Sequence, residues 1–161
     1  MKADQVAPST LEQMVASYEI AQFKARYWRI MDTRDWDAYG QCFMPDAVFD
    51  VSGEPAAFAA AGKPAPEGDF NLVWKGRDEI VKTVAQAYIG VDSCHQGHVH
   101  EFELTSPTTA RVIWHFEDIL VHAGRQGYRG YGYYHDTYVK VDGRWFIETT
   151  KLVRLFILPF T

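Results

Sequence analysis

The 161 residues fit one domain, and at 47% hydrophobic and 15% aromatic they hold enough apolar side chains for a real core. A formal net charge of −5 at pH 7, with no clustering of Lys and Arg, excludes broad binding to nucleic acid or to an anionic membrane. Cys42 and Cys94 lie far apart and make no disulfide framework, no run of 18 apolar residues occurs, and "MKADQVAPSTLEQ" lacks an apolar leader segment. The expectation is a soluble, cytoplasmic single domain over 1–161.

In chain order, "STLEQMVASYEIAQFKARYWRIMD" opens on a Ser or Thr cap, and Leu11, Met14, Val15, Tyr18, Ala21 and Ala25 recur at helical spacing. "DWDAYGQCF" predicts a second, short helix, and "DAVFDV" a first strand. The Ala-, Pro- and Gly-rich stretch 53–69 reads as a long loop, a lid or flap candidate. "GRDEIVKTVAQAYIG" predicts a third helix between Gly76 and Gly90. Strands follow at 95–104, 109–122, 128–141 and 144–157, with the Asp142–Gly143 pair marking a hairpin. Helices followed by an antiparallel meander read as α+β, a curved sheet wrapped on helices.

Two strands carry unusual alternations. In "ARVIWHFEDIL" an apolar row of Ala110, Val112, Trp114 and Phe116 ends in Asp118, a carboxylate that is costly to bury without a partner. In "RWFIETTKLVRLF" the alternation places Phe146, Glu148, Thr150, Leu152, Arg154 and Phe156 on one face, with Arg154 among apolar neighbours. "YRGYGYYHDTYV" adds tyrosines on both faces, Tyr134 among them. Such faces suit an apolar pocket with a few orienting polar groups; a wide sheet whose edge residues reach solvent fits the same pattern.

Three of the six histidines fall in "DSCHQGHVHEFEL". His98 and His100, two apart, should share a strand face, and with Glu103 they invite a metal reading. The spacing fits poorly, and a helical first third is wrong for a jelly roll, so no metal is expected. His95 sits on the opposite alternation, at the strand entrance. Asp32, at the end of the first helix where the dipole disfavours a carboxylate, is its candidate partner. The plainer role for Asp32 is to cap the second helix. Turned instead toward an imidazole, it would fix the ring tautomer and make a His–Asp dyad suited to proton abstraction. No Gly-x-Ser-x-Gly and no phosphate or dinucleotide glycine loop competes.

Three blocks, "RYWRIMDTRDWD", "HQGHVHEFELTSPTTARVIWHFED" and "GYYHDTYVKVDGRWFIETTKLVRL", together resemble the SnoaL-like and scytalone dehydratase-like branch of the nuclear transport factor 2-like superfamily, most narrowly the bile acid 7α-dehydratases. With their connections the likeness covers nearly the whole chain. It implies a cone-shaped α+β barrel with a curved, mostly antiparallel sheet around N-terminal helices. A catalytic Tyr and Asp five apart at the end of the first helix of these dehydratases match Tyr27 and Asp32. Their catalytic His, in a Met-His-Met-Gly-His stretch, matches His95. The acid ending the long central strand matches Asp118, and the Arg of the last strand matches Arg154. The family often has Pro where this chain has His100, and the 53–69 loop is longer than its pattern.

The implied activity is cofactor-independent elimination or isomerisation of a hydrophobic, cyclic small molecule. His95 would take a proton from carbon, Asp32 would hold the imidazole, and Tyr27 would donate to a substrate oxygen. Asp118 and Arg154 would pair, and Trp114, Phe116, Tyr134 and Phe146 would line the substrate pocket. No cofactor is implied, and relatives form trimers or dimers, with "LFILPFT" covering a neighbour or closing the pocket. The competing readings are a non-catalytic ligand-binding domain and the small subunit of an aromatic-ring-hydroxylating dioxygenase.

Overall fold

A computed structural model describes residues 8–62, 71–122 and 126–160. Helix α1 (Thr10–Asp32) starts at a reciprocal cap: the Glu12 amide donates to Ser9 Oγ at 3.3 Å, and the Ser9 amide donates to Glu12 Oε2 at 2.7 Å. The stripe that betrayed the helix in the sequence is not the stripe it buries. Leu11, Met14 and Tyr18 are 70%, 65% and 68% exposed, whereas Ile20, Phe23, Tyr27, Trp28 and Met31 are buried. Apolar residues populate both faces at helical spacing, so the period identifies the helix and not its inward side.

The remaining elements are α2 (Trp36–Gly40), β1 (Phe43–Asp50), α3 (Glu54–Ala60), β2 (Val73–Lys75), α4 (Arg77–Ala87), β3 (Val91–Ser106), β4 (Thr109–His122), β5 (Gly127–Val141) and β6 (Arg144–Phe160). They form one six-stranded sheet in the order β2-β1-β6-β5-β4-β3, antiparallel throughout except for the β1–β6 pair. The architecture is the expected α+β cone, N-terminal helices against a curved sheet. At the β5–β6 turn Asp142 and Gly143 both take positive φ, 49° and 77°, as a tight hairpin of the primed type requires. No helix among the described residues is long and apolar enough to cross a membrane.

Three bulges decide which side chains face inward. Each inserts one residue against its partner strand and so reverses the alternation beyond it. In β3 the register slips between Gly97 and His100, so His95 and Gly97 share the inner face with His100, Phe102 and Leu104. The expectation that His98 and His100 share a face opposite His95 is thereby overturned. In β6 the slips fall at Glu148 and at Leu155. Trp145 and Ile147 are buried before the first, Thr150, Leu152 and Arg154 between the two, and Ile157 after the second. Phe146 and Phe156 are therefore turned outward, which removes Phe146 from the expected pocket lining.

Two other expectations change, and the last strand runs further than expected. The start of the 53–69 loop is helix α3, and residues 63–70 lie outside the described residues. Strand β3 begins at Val91, so His95 lies inside the strand rather than at its entrance. The tail "LFILPFT" is the last stretch of β6, with Gly127 opposite Phe160; Thr161 lies outside the described residues.

Candidate active site

The end of α1 is stapled to the start of β3. After Thr33, whose amide donates to Arg29 O at 3.0 Å, Arg34 takes a left-handed φ of 63° and turns the chain. Its guanidinium donates to Met31 O (2.7 Å), Asp32 O (2.9 Å), Ser93 Oγ (2.9 Å) and Val91 O. Capping of α2 falls to Asp35, which accepts from the Ala38 amide at 3.1 Å, and this leaves the Asp32 side chain for β3. Ser93 Oγ donates to Asp32 Oδ1 at 2.7 Å and the His95 amide to Oδ2 at 2.9 Å, while His95 Nδ1 lies 2.6 Å from Oδ1. Both carboxylate oxygens are thus spoken for before the imidazole arrives, which fixes the angle at which Asp32 meets the ring.

Burial works to raise the Asp32 pKa, but the hydrogen bonds from His95 and Ser93 outweigh it and hold the group below its ordinary value. An ionised carboxylate only accepts, so His95 carries its proton on Nδ1 and presents Nε2 as the lone-pair nitrogen. Tyr88, at the C-terminal cap of α4, has its hydroxyl 3.1 Å from that Nε2. Burial, then the nearby Asp118 charge, pushes the Tyr88 pKa far up, so the phenol stays protonated and donates to Nε2. Arg34 also lies over the Tyr88 ring, 4.9 Å from its centroid, tying the two supports together.

Asp118 stands directly across from His95 on β4, on the same inner face. Arg154 Nη1 and Nη2 donate to its two oxygens at 2.9 and 2.8 Å, a bidentate pair in which each side chain is 3% exposed. Burial disfavours the Arg154 charge, but the Asp118 hydrogen bonds overcome it and drive the pKa upward. Gly130 opens the space for this pair: a Cβ there would collide with Arg154 and with Asp118 Oδ1. The third side of the guanidinium is taken by Glu54 of α3, whose Oε1 accepts from Nε at 2.7 Å.

Tyr27, fully buried on α1, pairs its hydroxyl with that of Tyr39 at 3.0 Å, whereas the tyrosine that meets the His95 ring is Tyr88. Phe116 packs on Tyr134 at 4.6 Å between ring centres and lies 5.4 Å under the Arg154 guanidinium. Trp114 donates to Tyr138 Oη at 3.1 Å and packs edge-on against Trp28. Phe146 lies on the outer face beneath Arg144, 5.4 Å from guanidinium to ring centre. His98 is exposed beside Glu117 at 3.8 Å, and His100 meets Ser17 Oγ at 3.0 Å and stacks on Trp114. A cleft of about 460 Å³ between α1 and β3 reaches Asp32 and His95, with Trp28 and Gly97 in its wall.

Sequence reasoning missed Ser93, Arg34, Tyr88 and Glu54 at the site, and a second buried pair next to it. Lys24 Nζ donates to Asp136 Oδ2 at 2.7 Å with both side chains wholly buried, and it sits 4.3 Å over the Tyr134 ring. Asp136 also accepts from Tyr138 Oη and Thr150 Oγ1, at 2.7 and 2.6 Å. A signal for this pair existed: Lys24 lies at i+4 between the apolar Ile20 and Trp28, and Asp136 alternates with Tyr134 and Tyr138.

Comparison with known proteins agrees with this architecture. Over 143 residues the chain is 26% identical to the probable cyclase FGR4 of Gibberella zeae, covering 85% of this chain and 89% of that protein. A solved structure from Novosphingobium aromaticivorans, provisionally named a scytalone dehydratase, superposes with a TM-score of 0.77 at 21% identity, covering 95% of this chain and 93% of that one. A type 2 hexachlorocyclohexane dehydrochlorinase superposes with a TM-score of 0.76 at 15% identity, covering 95% and 94%. The model of the SnoaL-like domain matches residues 12–151, most of the chain, and the protein belongs to that family.

Proposed function

We propose that the protein is a cofactor-independent lyase or isomerase of the dehydratase type, acting on a hydrophobic cyclic small molecule by proton abstraction at carbon. The observation that carries this reading is the Asp32–His95 contact, 2.6 Å from Oδ1 to Nδ1 with the opposite carboxylate oxygen held by the His95 amide. A base needs a fixed tautomer and a lone pair free to act; the Asp32 contact supports the first, and displacement of Tyr88 would free the second at Nε2. The names carried by the relatives, a cyclase, a dehydratase and a dehydrochlorinase, describe reactions of this broad kind in those proteins.

In the proposed mechanism substrate displaces the Tyr88 hydroxyl from Nε2 and places an acidified C–H there. Negative charge then develops on a substrate oxygen, where hydroxyl donors in a dry site stabilise it. Tyr88 is within reach of the ring nitrogen and takes this role first. Tyr27, whose hydroxyl pairs with that of Tyr39, is kept as a further donor. Asp118 and Arg154 orient the leaving group, and Phe116, Tyr134 and Trp114 supply apolar wall. Self-association as a dimer or trimer belongs to the proposal; the exposed Leu155, Phe156 and Leu158 on β6 support it, and light scattering on the purified protein tests it.

The test is a screen of hydroxylated cyclic enones and halogenated rings for release of water or halide, with binding followed in parallel by intrinsic fluorescence. Turnover by the wild type and its loss in His95→Ala with binding retained supports the reading. Binding without turnover across the panel returns the protein to a non-catalytic ligand-binding domain or a structural subunit.

A further inference from the structure

We propose that Glu54 is the acid that protonates the departing oxygen when the leaving group is hydroxide, a role that rests on the elimination reading above. Three relations support it. Arg154 is one cation between two carboxylates, so the buried cluster of Asp118, Arg154 and Glu54 carries one surplus negative charge unless a proton joins it. Asp118 has both oxygens in the bidentate pair, whereas Glu54 uses only Oε1; among the described residues Oε2 has no hydrogen-bond partner. The Glu54 side chain also keeps 20% of its surface accessible, against 3% for Arg154 and 3% for Asp118. Of the three, Glu54 is the most exposed.

Its place in the fold matches the task. His95 and Asp118 are cross-strand neighbours, with Cβ atoms about 5 Å apart in such pairs, and Glu54 lies one guanidinium beyond Asp118. A substrate that sets its C–H at His95 Nε2 and the adjacent C–O bond along the Arg154 pair would turn its departing oxygen toward Glu54. Helix α3 seats the acid at two points, the Arg154 contact and the edge-to-face packing of Phe58 on Tyr128, 5.1 Å between ring centres. Burial and then the opposing pull of Arg154 act on Glu54, with the Asp118 charge on the side of burial, and the net direction of its pKa is upward. The charged or titratable groups around it are Arg154 on β6, Asp118 on β4 and Tyr128 on β5.

The step balances without a co-reactant. His95 Nε2 takes the proton from carbon, and the C–H electron pair becomes the new C=C bond. The C–O bond breaks, its pair stays on oxygen, and the proton on Glu54 Oε2 completes a water molecule. Solvent then carries a proton from the His95 imidazolium back to Glu54.

Two measurements test this. The first titrates ¹³C-glutamate-labelled protein, with the Glu54 carboxyl assigned by its loss in Glu54→Gln. A midpoint above the usual value of about 4.3 is expected, and one at or below it overturns the proposal. The second compares a hydroxydecalone with its chlorodecalone counterpart. Glu54→Gln should lose about 10²-fold or more in water release, yet keep chloride release and deuterium exchange at the acidic carbon within a few-fold, since chloride leaves without a proton. Glu54→Asp should recover part of the water release. Equal losses on both substrates, or no loss on either, overturn the proposal. If the wild type turns over neither substrate the elimination reading itself falls, and the carboxyl titration alone judges whether Glu54 holds a proton.

Discussion

His95 and Asp118 face each other directly across β3 and β4, each held by a partner from another element: Asp32 of α1 at 2.6 Å and Arg154 of β6 at 2.8 Å. Two ion-pairing groups set side by side on one inner sheet face cost desolvation energy that only tight partners offset. With the neighbouring Lys24–Asp136 pair, the arrangement sets polar groups into a largely apolar interior.

Asp32→Asn tests the first partner. The amide cannot hold the imidazole as the carboxylate does, so turnover should fall by about 10²–10⁴-fold with ligand affinity changed far less. Stability should shift with pH as well. Because the folded pKa of Asp32 lies below its unfolded value, its contribution is complete above the ordinary value near 3.9 and disappears as pH falls through the lower folded one. Denaturation curves at falling pH should therefore converge for wild type and Asp32→Asn below that window.

The Asp118–Arg154 pair makes a second prediction. Asp118→Ala leaves the buried guanidinium only Glu54, on its Nε, as an ionic partner and should cost up to about 3–5 kcal/mol in urea unfolding. Asp118→Leu with Arg154→Met should cost less than the sum of the single changes, because Asp118 and Arg154 leave together and only Glu54, the most exposed member of the cluster, loses its partner. Gly130→Ala should reproduce much of the Asp118→Ala loss by forcing its methyl into the pair.

Lys24 and Asp136 supply a third. Lys24→Met keeps the stem's volume but leaves Asp136 buried with only neutral donors, Tyr138 and Thr150. The expected loss is again about 3–5 kcal/mol, restored in part by adding Asp136→Asn. Thermal melts of the two variants decide it; equal stability in Lys24→Met and wild type would show that the pair contributes nothing.

How much of this was legible follows from where the signals lie. Period 3.6 exposed α1 and α4, and the helices-then-strands order exposed the sheet, because those patterns are local. Asp118 and Arg154 stood out as charges inside apolar alternations, and the fold joins them. The alternation failed only past a bulge, at Phe146, Phe156 and His98, since one inserted residue reverses parity and leaves no compositional mark. Glu54 and Tyr88 were invisible for a different reason. Their partners lie 100 and 7 positions away, on elements whose own patterns say nothing of the contact. Asp32 was readable as a misplaced carboxylate at a helix end, yet only the Arg34 turn shows why it points to β3.

The most direct test of the central claim is deuterium exchange at the carbon acid itself. Decalone incubated in heavy water with wild-type protein should exchange its proton next to the carbonyl faster than in buffer. His95→Gln, which keeps the ring's volume roughly and removes the base, should return that rate to within a few-fold of buffer while ligand still binds. Exchange by His95→Gln at the wild-type rate would contradict the account, because the proton would then be leaving to some other group.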